Sequence, residues 1–225
     1  MRDGGVFEMR VWRDLLFKLS GIGMVIVLAV ILAGILPSQT CHAADGMRFK
    51  SISKVHYISY GGQNDIMDFY QYDGEKVTFM ITGQRRLTMY YKGGSMSFDY
   101  YEGRNEGSYG VHEIITENPR MILYQITATS GAHAMNNGYW LVGKHKGKWV
   151  KFISLDNLAT MGHTPLEWHQ IESRITNKGN LRIISSHEYL PPGVIYQVYR
   201  KHAVDMVVEL FWDKNAQWFG MKRIR

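Results

Sequence analysis

Cysteine is nearly absent: the 225 residues hold one, Cys41, close to the start. Everything beyond it therefore lacks disulfides, thiolate metal sites and cysteine nucleophiles. Asn-x-Ser/Thr acceptors are missing altogether, which together with the missing cysteines suits an exported bacterial protein. Catalytic signatures are equally scarce. There is no Gly-x-Ser-x-Gly elbow, no phosphate loop and no dinucleotide fingerprint. His112-Glu113 and His187-Glu188 begin like the His-Glu-x-x-His zinc helix, but neither has the second histidine, and Pro191 would break the helix needed by the latter. No run has the length of the crossover helix that a parallel sheet requires.

What is present at the start reads as an address. Ile22–Leu36 is apolar and uncharged, follows Arg10, Arg13 and Lys18, and precedes Pro37 and the stretch Cys41-His42-Ala43-Ala44. Basic region, apolar core and small-residue site in that order form a secretory signal, and the run is shorter than the ~20 residues of a spanning helix. Cleavage is expected between Ala43 and Ala44, because Cys41 and Ala43 then fill the two positions a signal peptidase reads. An uncleaved anchor is the alternative, and the only membrane contact expected. Lipidation of Cys41 is disfavoured, since Ser38, Gln39 and Thr40 supply neither the aliphatic nor the small residues that should precede it. Met9 is a better start of translation than Met1, because Asp3 and Glu8 stand where signals are basic. Residues 1–43 are thus read as a signal peptide and 44–225 as one exported domain, secreted, periplasmic or displayed at the cell surface.

Beyond residue 43 there are 22 Lys and Arg against 17 Asp and Glu, a net charge of +5. That balance suits contact with anionic envelope polymers, and it is also an ordinary means of staying soluble. Short β-rich segments alternate with turn signals: Asp73-Gly74, Lys92-Gly93-Gly94, Asn118-Pro119, Lys146-Gly147, Asn177-Lys178-Gly179 and Lys214-Asn215. The expected fold is all-β, an antiparallel sandwich or barrel of about a dozen short strands, with one helical interlude near 155–171. In that interlude Ser154 or Asp156 caps a helix ending at Gly162, and Thr164-Pro165-Leu166-Glu167 reads as a second capping box. Residues 168–176 fit helix and strand periods equally.

Function is less legible. Aromatic residues make up 13% of the chain, and β-modules that bind glycans present such rings to the C–H faces of sugars. The stretch 133–140 combines amides, a glycine and two large rings, so Asn136, Asn137, Tyr139 and Trp140 are candidate glycan ligands; the competing reading puts the rings in the core. The hairpin 143–151 gathers Lys144, Lys146 and Lys148 around a turn, a candidate anion contact or a guard against edge-to-edge pairing. As tip residues, these lysines are expected to contribute little to stability. Three functions follow: an exported noncatalytic binding module for a glycan or anionic envelope polymer; an extracytoplasmic hydrolase using two of Glu167, His169, His187 and Glu188; or a protein-facing assembly subunit. No cofactor and no nucleic-acid partner are expected. A metal site from His163, Glu167 and His169 is disfavoured because their spacing does not make them converge.

Overall fold

The structure is a computed structural model that describes residues 46–59, 65–82, 86–98, 107–130, 135–163, 169–195 and 201–225, without the side chains of residues 107, 129, 130, 135–137 and 169. Fourteen strands and one helix are described. In chain order they are β1 (Arg48–Ile52), β2 (His56–Ser59), β3 (Ile66–Tyr70), β4 (Lys76–Thr82), β5 (Arg86–Tyr91), β6 (Gly94–Phe98), β7 (Gly107–Glu117), β8 (Ile122–Ser130), β9 (Met135–His145), β10 (Lys148–Ser154), α1 (Leu155–Thr160), β11 (His169–Ile175), β12 (Leu181–Tyr189), β13 (Lys201–Asp213) and β14 (Trp218–Arg223).

All pairings between these strands are antiparallel, and they form three sheets. The largest has the order β1-β7-β8-β9-β10, with β2 also paired to β7. Strands β3 to β6 make a second sheet and β11 to β14 a third, each a meander in sequence order. The large sheet lies between the other two, because its strands feed a different core on each face. In β8, Tyr124, Ile126 and Ala128 join the core against β3 to β6, whereas Leu123 joins the core against β11 to β14. In β9, Trp140 and Val142 face the first core, Tyr139 and Leu141 the second. Burial on both faces explains why "MILYQITA" reads as a nearly continuous apolar run, while the outer strand β12 alternates buried and half-buried positions. The fold is a sandwich, so the barrel alternative falls away.

Each core is led by rings. Phe69, Phe79 and Tyr124 have centroids 5.2–5.5 Å apart in one. In the other, Phe152 stands edge-on to Trp218 at 4.8 Å and to Phe219 at 5.0 Å. Such pairs contribute about 0.5–1.5 kcal/mol each beyond their burial. Phe152 and its neighbour Ile153 both enter that core because a bulge interrupts the β9–β10 register between Lys151 and Ile153. The bulge sets Phe152 beneath Trp212 and Trp218, so the β9–β10 hairpin is held against the β13–β14 hairpin.

The helical interlude is shorter than the sequence implies. Helix α1 is N-capped by Ser154, whose amide donates to Asn157 Oδ1 at 2.8 Å, and is C-capped by Met161, with Gly162 just beyond it at φ +97. From His169 the chain is strand, because pairing with β12 decides a segment whose own periodicity was ambiguous. The Thr164–Glu167 capping box lies outside the described residues. Two further differences concern strand starts. Strand β9 begins at Met135, so Asn136 and Asn137 belong to a strand and not to a loop. Gly138 is the reason the strand continues there: a Cβ would come within 2.3 Å of the Trp140 ring. The segment "VVELFWD" is the second half of one 13-residue strand, β13.

Candidate functional site

Tyr139 and Trp140 offer no face to a sugar. Tyr139 is 0% exposed and Trp140 8%. The Tyr139 hydroxyl lies 3.3 Å from Ser173 Oγ and 3.5 Å from Gln125 Oε1, inside the core. Alternation on a strand buried on both faces sends the two adjacent rings to opposite cores. The amide side chains of Asn136 and Asn137 lie outside the described residues. Tyr139→Phe should therefore act on stability alone, lowering it by about 1 kcal/mol in a denaturant titration, with no change in the affinity for any ligand.

The lysines of the β9–β10 hairpin divide into two kinds. Lys144 is not a free tip charge: its Nζ pairs with Glu75 Oε2 and lies 3.0 Å from Asp73 Oδ2, both in the β3–β4 turn. Glu75 is a junction between sheets. Its Oε1 accepts the Trp149 indole N–H and the Lys92 amide, each at 3.2 Å. Burial alone would push the Glu75 carboxyl up, but the Lys144 and Trp149 hydrogen bonds more than offset it and hold the group below its ordinary value. Lys144 is thus a structural strut, which corrects the expectation that all these lysines are dispensable for stability. Lys146 and Lys148 are exposed, and Lys146 borders a cleft.

That cleft, of about 490 Å³, is lined by Asn118, Pro119, Met121, Lys144, His145, Lys146, Trp212, Lys214 and Gln217. Three turns supply the walls: the β7–β8 connection at Asn118-Pro119, the β9–β10 tip and the β13–β14 tip. His145 fastens two of them together. Its Nδ1–H donates to the Gln217 carbonyl at 2.8 Å, and its ring stands edge-on to Trp218 at 5.4 Å. A carbonyl only accepts, so Nδ1 carries the proton. The indole of Trp212, half-buried on Phe152 and Phe219, forms an apolar wall.

Electrostatically the cleft is one-sided. Its described lining contains three lysines and a histidine and no acid. The two acids next in sequence are occupied: Glu117 pairs with Lys50 at 2.9 Å, and Asp213 Oδ1 accepts the amides of Asn215 and Ala216. With Lys144 committed to Glu75 and Asp73, Lys146 and Lys214, both exposed, are the lining lysines with no described ion pair, and Asp213 keeps its negative charge beside Lys214. The backbone is unusual at the same place. Asn118, Lys146 and Gln217, with φ of 55, 49 and 51, are the described non-glycine residues in the left-handed region, and all three line the cleft. Left-handed backbone costs a side-chain-bearing residue about 1 kcal/mol, and such positions gather at binding sites.

Sequence reasoning reached Lys146 and Lys144 but missed Lys214, Trp212, His145 and Asn118 as partners. Asn118-Pro119 and Lys214-Asn215 were legible as turns; that they meet the Lys146 tip is a consequence of sheet stacking, for which a one-dimensional pattern carries no signal. Of the hydrolase candidates, His169 and His187 are register partners on one face of the β11–β12 pair, and Glu188 is on the other face. His187 Nδ1 donates to Asp205 Oδ1 at 2.7 Å, while Glu188, its strand neighbour on the opposite face, lies 3.7 Å from His202 Nε2. Glu167 lies outside the described residues. Buried His163 faces Ser185 Oγ at 2.9 Å, and among the described residues no three potential ligands are grouped to hold a metal. Compared with known proteins, the chain matches no family model, no curated protein and no solved structure.

Proposed function

We propose that this chain is an exported, noncatalytic module that binds an acidic glycan or other anionic envelope polymer in the cleft between its β9–β10 and β13–β14 tips. The observation that carries this reading is the lining: exposed Lys146 and Lys214 on separate hairpins, beside the Trp212 indole, with no acid among the described residues that line the cleft. Exposed cations attract an anion over a distance set by the ionic strength, and an indole face suits the C–H surface of a sugar or polyol. The volume falls within the ~300–1,000 Å³ of small-ligand sites, enough to grip part of a polymer while the remainder runs out over the rim. Export rests on the leader, and sequencing the secreted protein should return Ala44 as its first residue.

Affinity electrophoresis of the full chain through gels containing polygalacturonate, poly(glycerol phosphate) or a neutral β-glucan tests the binding reading. Retardation is expected with at least one polyanion, relieved by added salt, and not with the neutral gel. Equal mobility in all three would end the proposal.

A further inference from the structure

We infer that His56 and Glu113 hold a divalent transition-metal ion on the face of the large sheet turned to β3–β6, with the Tyr124 hydroxyl as a hydrogen-bonding support. None of the three lines the cleft, and the inference does not depend on the anion reading. Strand pairing brings them together. Glu113 of β7 stands opposite Tyr124 of β8, and His56 of β2 stands opposite Val111, two residues before Glu113 and on the same face. Val111 and Tyr124 enter the core against β3–β6, so His56 and Glu113 face the same way and border that core. Opposed residues have Cβ atoms about 5 Å apart and diagonal ones about 7 Å. An imidazole and a carboxylate span such distances with one ion between them, at ~2.0–2.2 Å from each ligand atom.

Unused hydrogen-bonding capacity is what points to a ligand. Both side chains are half-buried, yet neither makes a hydrogen bond or an ion pair among the described residues. Polar groups withdrawn from water normally find partners. Burial pushes the Glu113 carboxyl above its ordinary value, and the neighbouring His56 ring offsets that only in part. Each group is also held in place. The Ser53 amide donates to the Glu113 carbonyl and the Ser53 hydroxyl accepts the Glu113 amide, both at 2.9 Å. His56 stands at 88° to the Phe69 ring, with centroids 5.4 Å apart. Fully buried Tyr124 accepts from Gln71 Nε2 at 2.9 Å, which leaves its own proton for a carboxylate oxygen, the outer contact that orients a metal-binding carboxylate. Imidazole with carboxylate suits zinc or copper, whereas magnesium and calcium take oxygen ligands. No group of three ligands forms among the described residues, so water completes the coordination.

The test is calorimetric titration of the full chain with Zn²⁺ in a non-chelating buffer, with thermal melts alongside and Cys41→Ser as the background so that no thiol competes. Zinc at about ten times its dissociation constant should raise the melting temperature by about 4 °C. Copper should bind more tightly than zinc, and Mg²⁺ should produce no shift. Glu113→Gln should fold at least as stably as the parent, because it removes a half-buried charge, yet lose about tenfold or more of the zinc affinity and the shift with it. His56→Gln should lose as much, and Tyr124→Phe, which keeps both ligands, about tenfold. His187→Gln, in the histidine pair of β11–β12, should bind zinc as the parent does. A parent whose melting does not respond to zinc would overturn the inference. So would zinc affinity that survives Glu113→Gln and His56→Gln, or that disappears in His187→Gln, since the ion would then belong to β11–β12.

Discussion

Lys144→Glu should destabilise the fold by about 2–3 kcal/mol, seen as a fall of roughly 8 °C in melting temperature, whereas Lys148→Glu on the same hairpin should change it by less than about 0.5 kcal/mol. The difference arises from what each amine touches. The Lys148 side chain is exposed and its replacement leaves nothing unpaired. Lys144 closes a bridge from the large sheet to the β3–β4 turn, where the Glu75 side chain is only 13% exposed. A glutamate there sets a third carboxylate against Glu75 and Asp73 and removes the cation that offsets the burial of Glu75. Charge repulsion in a partly desolvated site is not relieved by bulk salt as it would be at a surface.

Acid should narrow the gap between the variant and the parent, and the sign follows from the shifts. Glu75 and Asp73 are both held below their ordinary carboxyl values, Asp73 by the Glu75 amide and then by Lys144. A carboxyl whose folded value is depressed contributes stability that is complete above its unfolded value and is lost as pH falls through the folded one. The parent thus loses the contribution of this bridge below about pH 4, around and beneath the ordinary carboxyl range. In Lys144→Glu the clustered carboxylates instead gain from protonation over the same range. Thermal melts at pH 7 and pH 3.5 should show the deficit shrinking with acid; a deficit that grew would mean that Lys144 acts through packing on Trp149, 5.6 Å from its Nζ.

Legibility in the sequence followed the range of the interaction responsible. Turn chemistry is local, so Asp73-Gly74, Gly93, Lys146-Gly147 and Gly179 marked hairpins that the structure contains, each glycine at positive φ. The all-β architecture followed from those turns and from strand-like segments between them. Burial on both faces of the large sheet was not readable, because a continuous apolar run such as 121–128 fits a buried strand of any architecture. The misplaced glycan face at Tyr139 and Trp140 has that origin: a glycine beside two rings resembles an exposed loop until Gly138 is seen making room for the Trp140 indole. Lys144 misled for a related reason. Its partners are some 70 residues away, and nothing near it in sequence betrays them. The cleft is the extreme case, since its three walls meet only when two sheets stack.

Charge reversal in the cleft should have the largest effect on binding. Lys146→Glu with Lys214→Glu is expected to weaken a polyanion by a hundredfold or more, on the order of 3 kcal/mol for two attractions replaced by two repulsions, with a melting temperature within about 2 °C of the parent. Stability is spared because neither lysine makes an ion pair among the described residues. Salt supplies an independent reading of the same charges. For a dense polyanion such as duplex DNA, log affinity falls with log salt by about 0.9 per neutralised charge, so a less dense polymer gripped by two lysines should show a shallower slope of about one to two. Trp212→Phe keeps a ring on Phe152 and Phe219 but shrinks the apolar wall; it should weaken binding several-fold without changing the slope, because apolar contact releases no counterions. A double charge reversal that leaves both affinity and slope untouched would place the polyanion site elsewhere on the molecule.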